Sequence, residues 1–320
     1  MKHFQPQRNN RHSITTPQYY QPRRPYATIA PQTITPKHHR YRWWLVASVG
    51  LLGIAGFTYT FFAPADSHSQ AHASHVQQAA TTPAIAAALK SRVNAILAQN
   101  GQYDIGIALT NTSTGQTQTF GDTSPFVAAS TAKVLAACAY YHLVETGQAN
   151  LNDPMGNYTA QFQIQEMIND SDNTSWDLIA AAIGSDQLQA YADSIGITGF
   201  SEANNTLTPE AMATMLTKLY TGSLLNQADT QQLLSYMQNT NDETLIPAAL
   251  PSSITVYHKY GLLDDELHDA SILVKGSQAY SLVIYTKSNA GYDDDDARTA
   301  LIHQLTQSIV ETIFPGSYSG

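Results

Sequence analysis

Hydrophobic and polar positions change their rhythm several times along this 320-residue chain. Positions 43–63 (WWLVASVGLLGIAGFTYTFFA) form 21 consecutive residues without a charge. At about 1.5 Å per helical residue such a run matches the roughly 30 Å hydrocarbon core of a bilayer. It lacks the polar stripe of a helix packed at a protein surface. Trp43 and Trp44 open it, and Tyr59, Phe61 and Phe62 close it, where interfacial aromatic belts form. A transmembrane helix is predicted there. Residues 1–42 show neither helical nor strand period and hold six of the fourteen prolines, the pattern of a disordered tail. Residues 64–82, rich in Ala, Ser, Gln and His, read as a flexible spacer.

From residue 83 to 320 the pattern is that of one globular domain. Ala84–Ala98 has apolar positions at helical spacing. Tyr103–Thr110 and Gln116–Phe120 are strand-like runs joined by a turn-forming Asn-Thr-Ser-Thr-Gly segment. Ser130 to about Tyr236 is helical in pattern, with stops at Gly147, Gly184, Gly196 and Gly222; Thr208-Pro209 is a cap followed by proline at the first helical position. Three strand-like runs follow, Ser253–Tyr260, His268–Val274 and Tyr280–Lys287, and a last helix over Asp296–Phe314. No internal repeat is evident. The order predicts an α+β (α/β) fold, an antiparallel five-stranded sheet flanked by helices, with an all-helical lobe inserted.

Charge sharpens this organisation. The formal net charge is −9, yet residues 1–42 carry eight basic residues and no acidic one. The rest holds eight basic against 25 acidic residues, a net −17. The basic block Lys37, Arg40, Arg42 abuts the apolar run, which places residues 1–42 in the cytoplasm and the domain outside the cell membrane. The tail also has the charge to tether to anionic headgroups. Ala71-His72-Ala73 has the spacing of a signal-peptidase site, so secretion after cleavage is the rival. The n-region of over 40 residues and the long apolar run favour a retained signal anchor. The acidic bulk excludes a general nucleic-acid binder. A single cysteine, Cys138, excludes a disulfide framework and a Cys-based zinc site. His68, His72 and His75 have no carboxylate partner in the spacer pattern and read as polar filler; Asp293–Asp296 fit helix-dipole stabilisation better than a calcium loop. No metal or cofactor is expected, and the ectodomain is expected to be monomeric.

The chemistry concentrates in three short words. Ser130-Thr131-Ala132-Lys133 opens a helix, and positions i and i+3 share a face, so the Lys133 amine can reach the Ser130 hydroxyl. Serine needs an adjacent base to act as a nucleophile. Lysine serves as one only when burial or a neighbouring cation depresses its pKa. A helix N-terminus also favours negative charge developing on the serine oxygen. Ser171-Asp172-Asn173 stands at a helix junction, and Lys259-Tyr260-Gly261 on a predicted strand. Each pattern, SxxK, SDN and KxG, occurs once, in that order.

With those motifs and their context (AASTAKVLAACAYYHLVETGQANLND, MINDSDNTSWDLI, LHDASILV), the sequence from about Pro83 onward resembles class A β-lactamases and penicillin-binding proteins, the active-site-serine hydrolases that recognise penicillin. The resemblance implies that Ser130 is acylated, that Lys133 is its base or proton relay, and that Ser171 shuttles a proton to the leaving nitrogen. It implies further that Asn173 binds the substrate amide and holds Lys133, that Lys259 attracts the substrate carboxylate, and that Gly261 lets the strand approach the substrate. The backbone N–H groups of Ser130 and Leu262 become the oxyanion hole. The partner implied is a small-molecule β-lactam or, for a D,D-peptidase, a cell-wall peptide; a non-catalytic wall-binding module is the remaining alternative.

Two departures qualify the resemblance. Tyr260 replaces the usual Thr or Ser between Lys and Gly, removing a small hydroxyl. The ExxLN loop that supplies a deacylating glutamate in class A enzymes is missing, and the loop looks shortened. Glu202 is the one glutamate between Gly184 and Pro209 and therefore the candidate base. General-base loss costs about 10²–10⁴-fold, so acylation with slow release is expected. Cys138 reads as a small buried helix residue, and His258 and His268-Asp269 as locally bonded strand residues.

Overall fold

The computed structural model describes residues 83–289, 291 and 294–318, all within one compact unit, residues 74–320. The predicted tail, membrane segment and spacer lie outside the described residues. Among the described residues no helix is long and apolar enough to cross a membrane.

The chain begins with α1 (Pro83–Gln99) and the hairpin β1 (Tyr103–Asn111) and β2 (Thr117–Gly121). A two-residue strand β3 (Phe126–Val127) and a 3-10 turn (Ala129–Ala132) lead into α2 (Lys133–Glu145). A small hairpin, β4 (Pro154–Met155) with β5 (Tyr158–Thr159), precedes α3 (Ala160–Asn169), α4 (Asn173–Ile183) and α5 (Ser185–Ser194). Another pair, β6 (Phe200–Ser201) and β7 (Thr206–Leu207), precedes α6 (Pro209–Tyr220) and α7 (Gln227–Tyr236). Then come the long strands β8 (Thr255–Leu263), β9 (Glu266–Lys275) and β10 (Gln278–Ser288), and finally α8 (Asp295–Ile313).

The main sheet is antiparallel in the order β2-β1-β10-β9-β8. Strands from the first and last parts of the described domain therefore meet at its centre, where Ile107 pairs with Ile284, and the helices between β2 and β8 are inserted. Residues Glu266–Leu273 of β9 are buried without a break, because both faces of the sheet are covered. Leu267, Leu273, Leu282 and Ile284 pack with Leu89 and Val93 of α1 and Leu305 and Ile309 of α8. Ala270, Ile272, Val283 and Tyr285 face the helical lobe, with Met212 and Leu216 of α6 in the same cluster. Truncating such a fully buried leucine to alanine typically costs about 2–5 kcal/mol.

Within the lobe α2 is buried on every side: Lys133 through Tyr141 are nine successive buried residues. A helix so enclosed needs no amphipathic stripe, and its N-terminus is fixed by the packing around it. The structure also shows what a continuous helical pattern between 130 and 236 conceals. The pairs β4–β5 and β6–β7 are strands, and β3–β7–β6 forms a three-stranded sheet with Phe126 opposite Leu207 and Phe200 opposite Leu207. Strands of two residues carry no readable alternation.

Candidate active site

Four pieces of chain converge beside the N-terminus of α2. The first is the 3-10 turn bearing Ser130. Its Ala129 has φ +48°, a left-handed conformation uncommon for a residue with a Cβ. The turn is held by Thr131, whose Oγ1–H donates to Ala128 O at 2.6 Å. The second piece is the α3–α4 junction. Ser171 has φ +56°, and Asp172 caps α4 by accepting the Ser175 N–H at 2.6 Å. This reversal aims the Ser171 carbonyl and the Asn173 side chain at Lys133.

Lys133, 4% exposed, donates to Ser171 O at 2.7 Å, to Asn173 Oδ1 at 2.7 Å and to Ser171 Oγ at 3.4 Å. Burial lowers its pKa to about 8, partly offset by the negative charges of Asp172 and Asp177. The third piece is β8, whose Lys259 is fully buried. Burial first, and then the nearby positive charge of Lys133, lowers its pKa to about 7 against the pull of Asp269 and Asp242. Its ammonium donates to Tyr260 O at 3.1 Å and lies 3.9 Å from the centroid of the Tyr260 ring, a cation–π contact. The hydroxyl lost at this position is thus replaced by an aromatic face on the lysine itself.

Gly261 explains how β8 lies against the serine turn. A Cβ there would stand 3.1 Å from Ala129 Cβ, 3.2 Å from Ala128 O and 3.2 Å from Ser130 N. Only glycine admits the strand this close without displacement. The fourth piece is the turn between β6 and β7. Asn205, at φ +47°, accepts the Ala128 N–H at 2.7 Å and donates from Nδ2 to Ala129 O at 3.4 Å, so it braces the serine turn from the far side.

A cleft between these pieces is lined by Ala129, Ser130, Lys133, Asn173, Trp176, Asn205, Leu262 and Leu263. Leu262 is 49% exposed at its rim. The structure therefore gathers Ser130, Lys133, Ser171, Asn173, Lys259, Gly261 and Leu262 around one cleft, with Lys259 behind the wall. Glu202 is not among the lining residues. Its N–H donates to Gln189 Oε1 at 3.0 Å and its carbonyl accepts the Asn205 N–H at 3.1 Å, so it shapes the turn through its backbone. Asn205, Trp176 and Leu263 were not singled out in the sequence; Asn is the one with a signal, since it tolerates left-handed backbone well.

Cys138 is buried in α2, and burial pushes its thiol up to about 12, so it is no nucleophile. His268 Nδ1 accepts the Thr286 N–H at 3.1 Å and its Nε2–H donates to Val127 O at 2.8 Å; burial lowers its pKa to about 4, so it stays neutral. Asp294 and Asp295 pair with the buried Arg298 at 2.8 and 2.7 Å.

The sequence model of the β-lactamase enzyme family matches residues 88–313. Curated relatives include β-lactamase OXY-2 of Klebsiella oxytoca, 28% identical over 195 residues, half of this chain and 67% of that protein. OXY-1 of the same species is 24% identical over 243 residues, 65% of this chain and 83% of that protein. Among solved structures, an acyl-enzyme complex of a PBP-A mutant with penicillin G matches with a TM-score of 0.65 at 23% identity, covering 70% of this chain and 96% of that one. The class A β-lactamase of the last common ancestor of Gram-negative bacteria matches with a TM-score of 0.64 at 24% identity, covering 71% and 99%. These structures share the fold: an antiparallel five-stranded sheet with helices, of β-lactamase/transpeptidase type.

Proposed function

The chain belongs to the β-lactamase enzyme family, and from that premise we propose that it is a membrane-anchored, extracytoplasmic serine hydrolase that opens β-lactams through an acyl-enzyme on Ser130 and releases the product slowly. The observation that carries the acylation half is the buried Lys133 amine, held by Ser171 and Asn173 one helical turn from Ser130. With its pKa lowered to about 8, a useful fraction of this amine is neutral near physiological pH and able to take the Ser130 proton. The oxygen that becomes negative on attack is assigned to the Ser130 and Leu262 N–H groups, and the close approach of β8 to the serine turn at Gly261 supports that assignment. Ser171, bonded to Lys133, then returns the proton to the departing nitrogen.

The lining of the cleft supports slow release. Among the described residues lining the cleft there is no carboxylate, so no side chain there replaces the water-activating glutamate of efficient enzymes. A D,D-peptidase acting on cell-wall peptides is the second reading, and the match to PBP-A favours it over a non-catalytic module. The basic tail and apolar run of residues 1–63 support the anchor. Labelling of cell fractions with a fluorescent penicillin tests both halves together. The full chain takes label in the membrane fraction, and Ser130→Ala takes none. Label that survives Ser130→Ala, or that is confined to the soluble fraction, contradicts the proposal.

A further inference from the structure

Between α7 and β8, residues 237–246 run across two of the site's walls and bond to both. At one end Asn169, the last residue of α3, donates from Nδ2 to Tyr236 O at 3.1 Å and to Gln238 O at 3.0 Å. Asn241 returns its N–H to Asn169 O at 3.0 Å and its Nδ2–H to Asp170 O at 2.8 Å. These bonds grip the residues immediately before Ser171. At the other end His258, the residue before Lys259, donates its N–H to Met237 O at 2.8 Å. Its fully buried ring sits between Asp269, 3.1 Å from Nδ1, and Glu243, 3.1 Å from Nε2, with Thr240 Oγ1 3.0 Å from the same Nε2. Asp269 also accepts the Ile246 N–H at 3.0 Å, and Glu243 the Thr240 N–H at 2.6 Å.

We propose that segment 237–246 is a strap that sets the spacing between the Ser171–Asn173 turn and the Lys259 strand, and that His258, clamped between Asp269 and Glu243, is its pin. His258 is then a positioning residue for the Ser130 chemistry, and this role rests on the reading of Ser130 as the acylated group. Side chains alternate along a strand, so His258 points away from the cleft while its neighbour Lys259 points toward it. A shift of the ring is a shift of the lysine.

The imidazole is held as a cation. Burial opposes the charge, but Asp269 first and then Glu243 outweigh it and raise the pKa to about 9. Glu243 is in turn lowered by its bond to His258. The other charged or titratable groups near the pin are Asp242, which accepts the Thr244 N–H within the strap, Lys259 on the opposite strand face, and His303 of α8, whose Nε2 meets Thr244 O at 2.6 Å. Removing the fully buried His258 leaves the equally buried Asp269 carboxylate without its charged partner.

Hydrogen exchange on the full chain, with acylation by penicillin G measured alongside, tests the strap from both ends. In His258→Asn, exchange should quicken at least about tenfold both in the strap and in residues 170–173. In Asn169→Ala, made at the other end, it should quicken both there and in residues 257–261. Both variants should acylate about 10–100-fold more slowly, because small misplacements of catalytic groups cost that much. Loosening confined to the substituted end, or acylation at the wild-type rate, overturns the strap. Should the wild-type chain itself take no penicillin, the Ser130 reading fails, while the exchange pattern, measured without any β-lactam, still decides the coupling.

Discussion

Lys133 and Lys259 stand in one buried site with pKa values of about 8 and 7, both lowered mainly by burial. Their proposed tasks require opposite protonation states: Lys133 neutral to accept the Ser130 proton, Lys259 charged to attract a carboxylate. Raising the pH through about 8 frees the base, while raising it through about 7 discharges the anchor. The second-order acylation constant for penicillin G should therefore follow a bell centred at about 7.5, falling on both sides. A rate that keeps climbing to pH 9 and beyond would remove Lys259 from substrate binding. At this scale the motifs were legible because each sets one residue type at one spacing. Ala129 and Ser171 in left-handed backbone were not, since neither residue type favours that conformation, and Asn205 carried only the general tolerance of asparagine for it. Nor was the His258 clamp, whose partners Glu243 and Asp269 come together only when β8 folds against β9 and the strap.

At the scale of elements, the position of β8 against the serine turn decides whether the proposed oxyanion hole can form. Gly261→Ala introduces a Cβ 3.1–3.2 Å from Ala129 Cβ, Ala128 O and Ser130 N, closer than neighbours ordinarily allow. The strand must retreat, and the Leu262 N–H with it. Acylation should fall about tenfold or more, toward the 10²–10³ cost of losing a donor outright, with a stability loss of about 1–3 kcal/mol from overpacking. Rapid-quench labelling measures the first and denaturant unfolding the second; an unchanged labelling rate would mean that the strand does not contribute to the hole. The long strands were readable in the sequence because alternation and apolar runs persist over nine to eleven residues in β1 and β8–β10. The limits of β9 and β10 extend one or two residues beyond the predicted ones, where pairing continues through polar Glu266, Lys275 and Gln278. The strands β3, β6 and β7 were not readable, and they are the ones that carry Asn205 to the cleft.

Over the whole molecule, the insertion of a helical lobe between β2 and β8 places Ser130 and Ser171 on one body and Lys259 on the other, with the cleft at their seam. That architecture was legible from the order of helical and strand-like runs, and its function from three motifs in sequence. The missing ExxLN word predicts slow release, and the cleft supports it, since its lining holds Asn205 and not Glu202. The proposed chemistry stands or falls on Ser130 becoming acylated and staying so. Intact-mass spectrometry of the protein after a short exposure to penicillin G and removal of the excess tests it most directly. An adduct of one penicillin on Ser130 should persist for many minutes and decay no faster or slower in Glu202→Ala. An adduct lost within seconds, or one whose lifetime lengthens when Glu202 is removed, would contradict it.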